Sequence, residues 1–167
     1  MEQISKVITV EEHFMSEKVN GEYQKLLEKK NLTLAQKAKA NFIQQFVAKG
    51  EITEVGEKRL EFMETHGIDC QILSYGNNSP SYLDPKQAVV LCQMANEELA
   101  GYCKQYPGNF YGFAVLPVGD TGAALTELER AVKTLGLKGI IFNGAYQESY
   151  FDEDRFFPIF EMAQELK

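Results

Sequence analysis

Apolar and polar positions along this chain follow two rhythms, one of period two and one of period three to four. Val7-Ile8-Thr9-Val10 is a short β-branched run and reads as a strand. The stretch after it, Phe14 to Glu54, carries two helical patterns, Tyr23 to Lys30 and Thr33 to Ala48. Phe42, Ile43, Phe46 and Val47 form the apolar stripe of the longer one, and Gly50 closes it. From there the rhythm is regular. Glu54 to His66 is helical and stops at Gly67; Cys70 to Ser74 is a strand; Pro85 to Tyr106 is a long helix. On that helix Ala88, Cys92, Ala95, Leu99 and Cys103 recur at helical spacing and make its buried face. Phe110 to Leu116 is a strand ending at Pro117, Thr121 to Leu135 a helix ended by Gly136, Lys138 to Phe142 a strand, and Asp154 to Lys167 a last helix.

Strand and helix thus alternate four times. That order predicts an α/β fold with parallel strands and helices packed outside them. An open doubly wound sheet and a segment of a (β/α)8 TIM barrel both satisfy it. A whole barrel takes about 250 residues. Four units in 167 residues, with a helical insertion at about 15–54, amount to roughly half of one. No Gly-rich phosphate loop follows the first strand, which weighs against a dinucleotide-binding sheet. A four-stranded half barrel leaves two parallel edges unpaired, and Glu165-Leu166-Lys167 carries no Gly or Pro stop. The expectation is one domain over residues 1–167, the N-terminal half of a barrel, apparently truncated.

Composition narrows the functional classes. With 44% hydrophobic and 25% charged residues the chain is suited to a globular fold and not to disorder or fibrous structure. No apolar run approaches the ~20 residues of a membrane span, and Met1 to Lys6 lacks a signal-peptide pattern. A cytoplasmic protein without a membrane partner is expected. The net charge of −7 argues against nucleic acid as a partner; the lysines at 25, 29, 30, 37 and 39 read as a solvated face. Cys70, Cys92 and Cys103 suggest no disulfide framework and read as small buried hydrophobes.

Glu11, Glu12 and His13 follow the first strand directly. If the strand continues through them, period-two alternation puts Glu11 and His13 on one face and Glu12 on the other. At the C-terminal end of a barrel strand that face is where active sites are built. A carboxylate and an imidazole crowded there call for a compensating partner. A divalent cation, zinc or manganese, takes both ligand types. If the strand ends at Val10, the same residues are exposed loop.

Ile8-Thr9-Val10-Glu11-Glu12-His13-Phe14 resembles the opening strand of the amidohydrolase-related decarboxylases, a group that includes the aminocarboxymuconate semialdehyde, γ-resorcylate and dihydroxybenzoate decarboxylases. The likeness continues from Lys58 through Ser74, resumes at Asn96-Glu97-Glu98-Leu99-Ala100 and at Phe110 to Pro117, and ends with Gly136 to Gly144. The pieces are specific jointly and weak singly. The resemblance implies that Glu11 and His13 are metal ligands. It also implies that a histidine on the fifth strand, an aspartate on the eighth and the catalytic histidine lie beyond Lys167. No catalytic residue is then expected within these 167 residues, and the chain by itself is expected to be inactive.

Other residues are candidates by position. Tyr75, before the polar turn Gly76 to Pro80, and Asn143, before Gly144, stand after strands two and four, where substrate would bind; turn chemistry explains the Asn-Gly pair equally well. Phe14 is a pocket wall or a core residue. Tyr150-Phe151-Asp152 resembles the family's aromatic-acid loop, and Asp152 also suits the N-cap of the last helix. His66 before Gly67 reads as a helix-terminal residue at the wrong end of the barrel for catalysis.

Three functional readings follow. The first is metal-dependent, non-oxidative decarboxylation of a small aromatic or unsaturated carboxylic acid. The second is metal-dependent hydrolysis of an ester, lactone or amide at the same site. The third is a non-catalytic half-barrel fragment that needs a partner chain. A homo-oligomer is the prior for any soluble enzyme.

Overall fold

The computed structural model describes residues 6–29, 33, 34, 38, 42, 45, 50, 52–76, 79–142 and 144–166. Four strands form one sheet in the order β1-β2-β3-β4: β1 Ile8–Phe14, β2 Cys70–Tyr75, β3 Phe110–Ala114 and β4 Gly139–Ile140. Every neighbouring pair is parallel. Helices connect them: α1 Glu17–Glu28 and α2 Glu57–Thr65 between β1 and β2, α3 Pro85–Gln105 before β3, α4 Thr121–Lys133 before β4, and α5 Phe157–Glu165 at the end. Short 3-10 turns cover Pro80–Tyr82 and Asp154–Phe156.

The helices start where side-chain oxygens can take their free N–H groups. Ser16 accepts from Val19 N, Asp84 from Lys86 N, with Pro85 at the first helical position, and Asp120 from Ala123 N. The Ser16 cap moves the start of α1 six residues ahead of the expected Tyr23. Its apolar spacing begins at Val19, fully buried, before Tyr23 and Leu26. The helix expected over Thr33 to Ala48 falls mostly outside the described residues.

β4 is shorter than the expected Lys138 to Phe142, and β3 ends at Ala114, short of the expected Leu116. The buried Asn96 amide of α3 donates to Val115 O and accepts from Val115 N, both at 2.9 Å. The side chain therefore occupies the backbone groups of the residue just past the end of β3, whereas β4 is held by Gly112 O and Ala114 O. Asn96 also donates to Glu127 Oε1 of α4 at 2.7 Å, and Arg130 closes the cluster on Glu127 at 2.8 Å.

Register assigns the faces. Glu12, Leu73 and Gly112 align across three strands, as do Thr9, Gln71 and Phe110, and Phe14 pairs with Tyr75. This is the helix-facing side, and Phe14, Leu73, Tyr75, Phe110 and Ala114 are all within 1% of full burial there. Gly112 is needed on it: a Cβ would stand 2.7 Å from Leu99 and 2.9 Å from Leu137. The inward side carries Ile8, His13, Ile72, Ser74, Tyr111 and Phe113.

Candidate metal centre

β1 does continue through the acid pair, but not as a regular strand. Thr9 aligns with Gln71 and Glu12 with Leu73, so Val10 and Glu11 together stand opposite Ile72. One extra residue makes a β-bulge, a device common beside active sites because it re-aims side chains. Glu11 holds it with φ at 61°, a left-handed conformation costly for any residue with a Cβ. Simple alternation therefore does not place Glu11, because the bulge restarts the count. After it, Glu12 turns to the helix side and His13 to the inward side.

His13 is half-buried, and its Nδ1 lies 3.0 Å from the Ser74 hydroxyl across the β1–β2 ladder. Ser74 is 1% exposed, and its Oγ also reaches Glu12 O at 3.5 Å. The other ring nitrogen, Nε2, is directed away from this contact. Behind the segment, Arg59 of α2 donates to His13 O at 2.9 Å and reaches Gln71 Oε1 at 3.5 Å. Burial lowers the pKa of this guanidinium, with Glu12 and Glu54 opposing the shift. Arg59, Glu12, Glu54, Lys58, Phe62 and Gln71 border a cleft of about 590 Å³. That cleft is on the helix side of β1, behind the strand, so Glu12 and His13 face different spaces.

The donor chemistry suits a divalent cation: one carboxylate and one imidazole, with His13 Nδ1 engaged and no bond to Nε2 among the described residues. Among the described residues no group of three or more His, Cys, Asp or Glu side chains gathers around a common point. Glu11 and His13 amount to two donors.

The remaining expectations divide. Phe14 and Tyr75 are in the helix-facing core, their rings edge-to-face at 5.3 Å and each 1% exposed. Neither ring can wall the inward pocket, because the strand positions of both point to α3. Burial pushes the Tyr75 hydroxyl pKa up strongly. Asn143 lies outside the described residues. Asp152 is an exposed turn residue, and no side chain caps the 3-10 turn that follows it. His66 is exposed at the end of α2, stacked on Phe62 at 4.1 Å with Nδ1 2.8 Å from Phe62 O, and Gly67 follows at φ 66°. The three cysteines are free, Cys70 and Cys92 buried and Cys103 partly so.

Two neighbours of the pair escaped the sequence reading. Ser74 was read only as the end of a strand, although a polar residue in a buried apolar run was its signal. Arg59 lay within the family-like segment without a role of its own.

An amidohydrolase family model, Amidohydro_2, matches residues 40–167. The γ-resorcylate decarboxylase of Rhizobium radiobacter is 35% identical over 124 residues, which are 69% of this chain and 37% of that protein. A crystal structure of a putative amidohydrolase from Staphylococcus aureus is 35% identical, with a TM-score of 0.73, over 96% of this chain and 45% of that one. The 5-carboxyvanillate decarboxylase of Novosphingobium aromaticivorans, solved with manganese and 4-hydroxy-3-methoxy-5-nitrobenzoic acid, aligns at TM-score 0.87 and 28% identity. That alignment covers 99% of this chain and 49% of the other. The chain therefore spans less than half the length of each. Among the described residues no helix is long and apolar enough to cross a membrane.

Proposed function

Because the chain belongs to the amidohydrolase family, we propose that it carries the first-strand half of a metal site serving non-oxidative decarboxylation of a small aromatic carboxylic acid. The observation that supports this most directly is the bulged end of β1. There, Glu11 and His13 flank an outward Glu12 at the C-terminal end of a parallel strand, with His13 anchored through Nδ1. Manganese is the preferred ion, since a structural relative holds it; zinc suits the same donors.

When bound, the ion supplies positive charge that polarises the oxygens of the substrate. The residues of this chain hold and orient. Glu11 and His13 supply donors, Ser74 and Arg59 fix the backbone and ring that present them, and Tyr111 and Phe113 line the inward face with half-buried aromatic surface. In the reaction the carbon–carbon bond to the carboxylate breaks, carbon dioxide leaves, and the ring carbon takes up a proton. None of the residues named here is assigned as that proton's donor.

Titration of the chain with Mn²⁺, read by water-proton relaxation, tests the site. Binding that is lost in both Glu11→Gln and His13→Ala is expected; equal binding by wild type and His13→Ala overturns it. A complete barrel carrying these residues should release carbon dioxide from 2,6-dihydroxybenzoate and leave aryl esters and lactones intact. The 167 residues alone, with two donors where a catalytic site uses three or more, should show no turnover.

A further inference from the structure

We propose that Ser74 is a positioning residue that holds the His13 imidazole in its Nδ1–H tautomer and so presents Nε2 as an open lone pair; this rests on the reading of His13 as a metal ligand. Ser74 faces inward on β2, directly opposite His13 in the parallel register. Its neighbours on that side are apolar: Ile72 two residues earlier, and Phe113 on β3. A buried hydroxyl in such surroundings is costly unless it is bonded. Both of its partners belong to the ligand-bearing segment of β1, namely His13 Nδ1 at 3.0 Å and Glu12 O at 3.5 Å.

Proton counting then sets the direction. A hydroxyl has one hydrogen, and a carbonyl oxygen can only accept. With the Ser74 hydrogen given to Glu12 O, the lone pair on Oγ faces His13 Nδ1, and the hydrogen between them must come from the ring. Nε2 is then the nitrogen without a proton, the form in which a neutral imidazole ligates. The chain runs from the ring to the serine to the backbone carbonyl next to the ring's own residue, so one side chain couples the orientation of the imidazole to the strand that carries it. His66 offers an internal contrast. Its Nδ1 also meets an acceptor, Phe62 O at 2.8 Å, but on an exposed helix end.

The test reads the tautomer first and the metal second. In the 167-residue chain carrying His66→Gln, which leaves His13 as the sole imidazole, long-range ¹⁵N–¹H correlation spectra are recorded above the usual imidazole titration range. A protonated Nδ1 and a bare Nε2 are expected. Ser74→Ala should shift the ring towards the other tautomer and weaken Mn²⁺ binding by about tenfold or more; Ser74→Thr should restore both. A protonated Nε2 in the parent overturns the inference, as does a Ser74→Ala chain that changes tautomer and binds Mn²⁺ equally well. If the parent chain binds no Mn²⁺, the ligand reading itself fails and this inference goes with it. If the parent binds and Ser74→Ala binds equally, only the role of Ser74 falls. Should Ser74→Ala not fold, the parent tautomer and the Ser74→Thr chain still decide.

Discussion

The two faces of the sheet are built from the same four strands and differ in almost everything else. On the helix side Phe14, Leu73, Tyr75, Phe110 and Ala114 are sealed beneath α3, and Gly112 lets Leu99 and Leu137 close to contact. On the inward side Ile8 and Val10 are 52% and 57% exposed, with the half-buried His13 on the same face and the exposed Glu11 in the bulge between them. The helix side is where burial energy is collected; the inward side holds a strained φ and an open imidazole nitrogen. Stability and chemistry are separated by the thickness of one strand, and period two does the separating.

The contrast is broken most severely on the helix side. Phe110→Ala removes a fully buried ring packed edge-to-face on Tyr106 at 5.7 Å. A loss of about 3–5 kcal/mol is expected from lost transfer energy and the residual cavity. The chain has no tryptophan, so urea unfolding followed by far-UV circular dichroism is the suitable readout. A cost under ~1.5 kcal/mol would mean that α3 and β3 are not packed as described.

Next comes the clamp between the helices. Asn96→Ala strands Val115 N and O and removes one donor from the buried Glu127, whose Oε1 keeps Arg130 Nη2 at 2.8 Å. About 2–3 kcal/mol should go, because buried polar groups without partners keep their full desolvation cost. The same substitution frees the end of β3, so faster amide exchange at Val115 and Leu116 is expected. Unchanged exchange there would detach Asn96 from the end of β3.

The fate of these residues shows what could be read without coordinates. Ala88, Cys92, Ala95 and Leu99 announced the buried face of α3 through their spacing, and all four are buried. Long periodic helices with caps are the most legible elements, and the parallel order followed from their alternation with strands. Tyr75 is turned into the core, and of the two readings of Phe14 the core one matches its burial; nearness to the active-site end says nothing about which way a side chain points, which needs the register of the neighbouring strand. The bulge at Val10 and Glu11 was invisible for a related reason. An extra residue in one strand is defined only against the partner that lacks it. Asn96 appeared in a family-like segment, yet its contacts to Val115 and Glu127 span 19 and 31 residues of sequence. No local pattern carries that information.

Glu11 sets the two faces against each other at a single residue. Its φ of 61° suits glycine far better than glutamate. Glu11→Gly should therefore stabilise the chain by about 0.5–1 kcal/mol, the relief of strain being partly offset by greater freedom of the unfolded chain. It should at the same time abolish Mn²⁺ binding. Glu11→Ala is the control: it removes the carboxylate, keeps the Cβ, and should give no gain in stability. A Glu11→Gly chain that is no more stable than Glu11→Ala would mean the bulge is absent in solution.

The smallest effect is expected on the open side. Val10 is 57% exposed, shares the bulge with Glu11 and belongs to neither buried cluster. Val10→Ser should change stability by no more than about 0.5 kcal/mol, the usual range for a surface position, against several for Phe110 on the opposite face. The comparison has a sharp alternative. If Val10→Ser costs 2 kcal/mol or more, this valine is buried in solution and the inward face is covered by a partner surface. A cost that also depends on protein concentration would identify that cover as another copy of the chain. Unfolding midpoints measured across a hundredfold concentration range separate the outcomes, and a concentration-independent, near-zero effect leaves one face of the sheet buried and the other open.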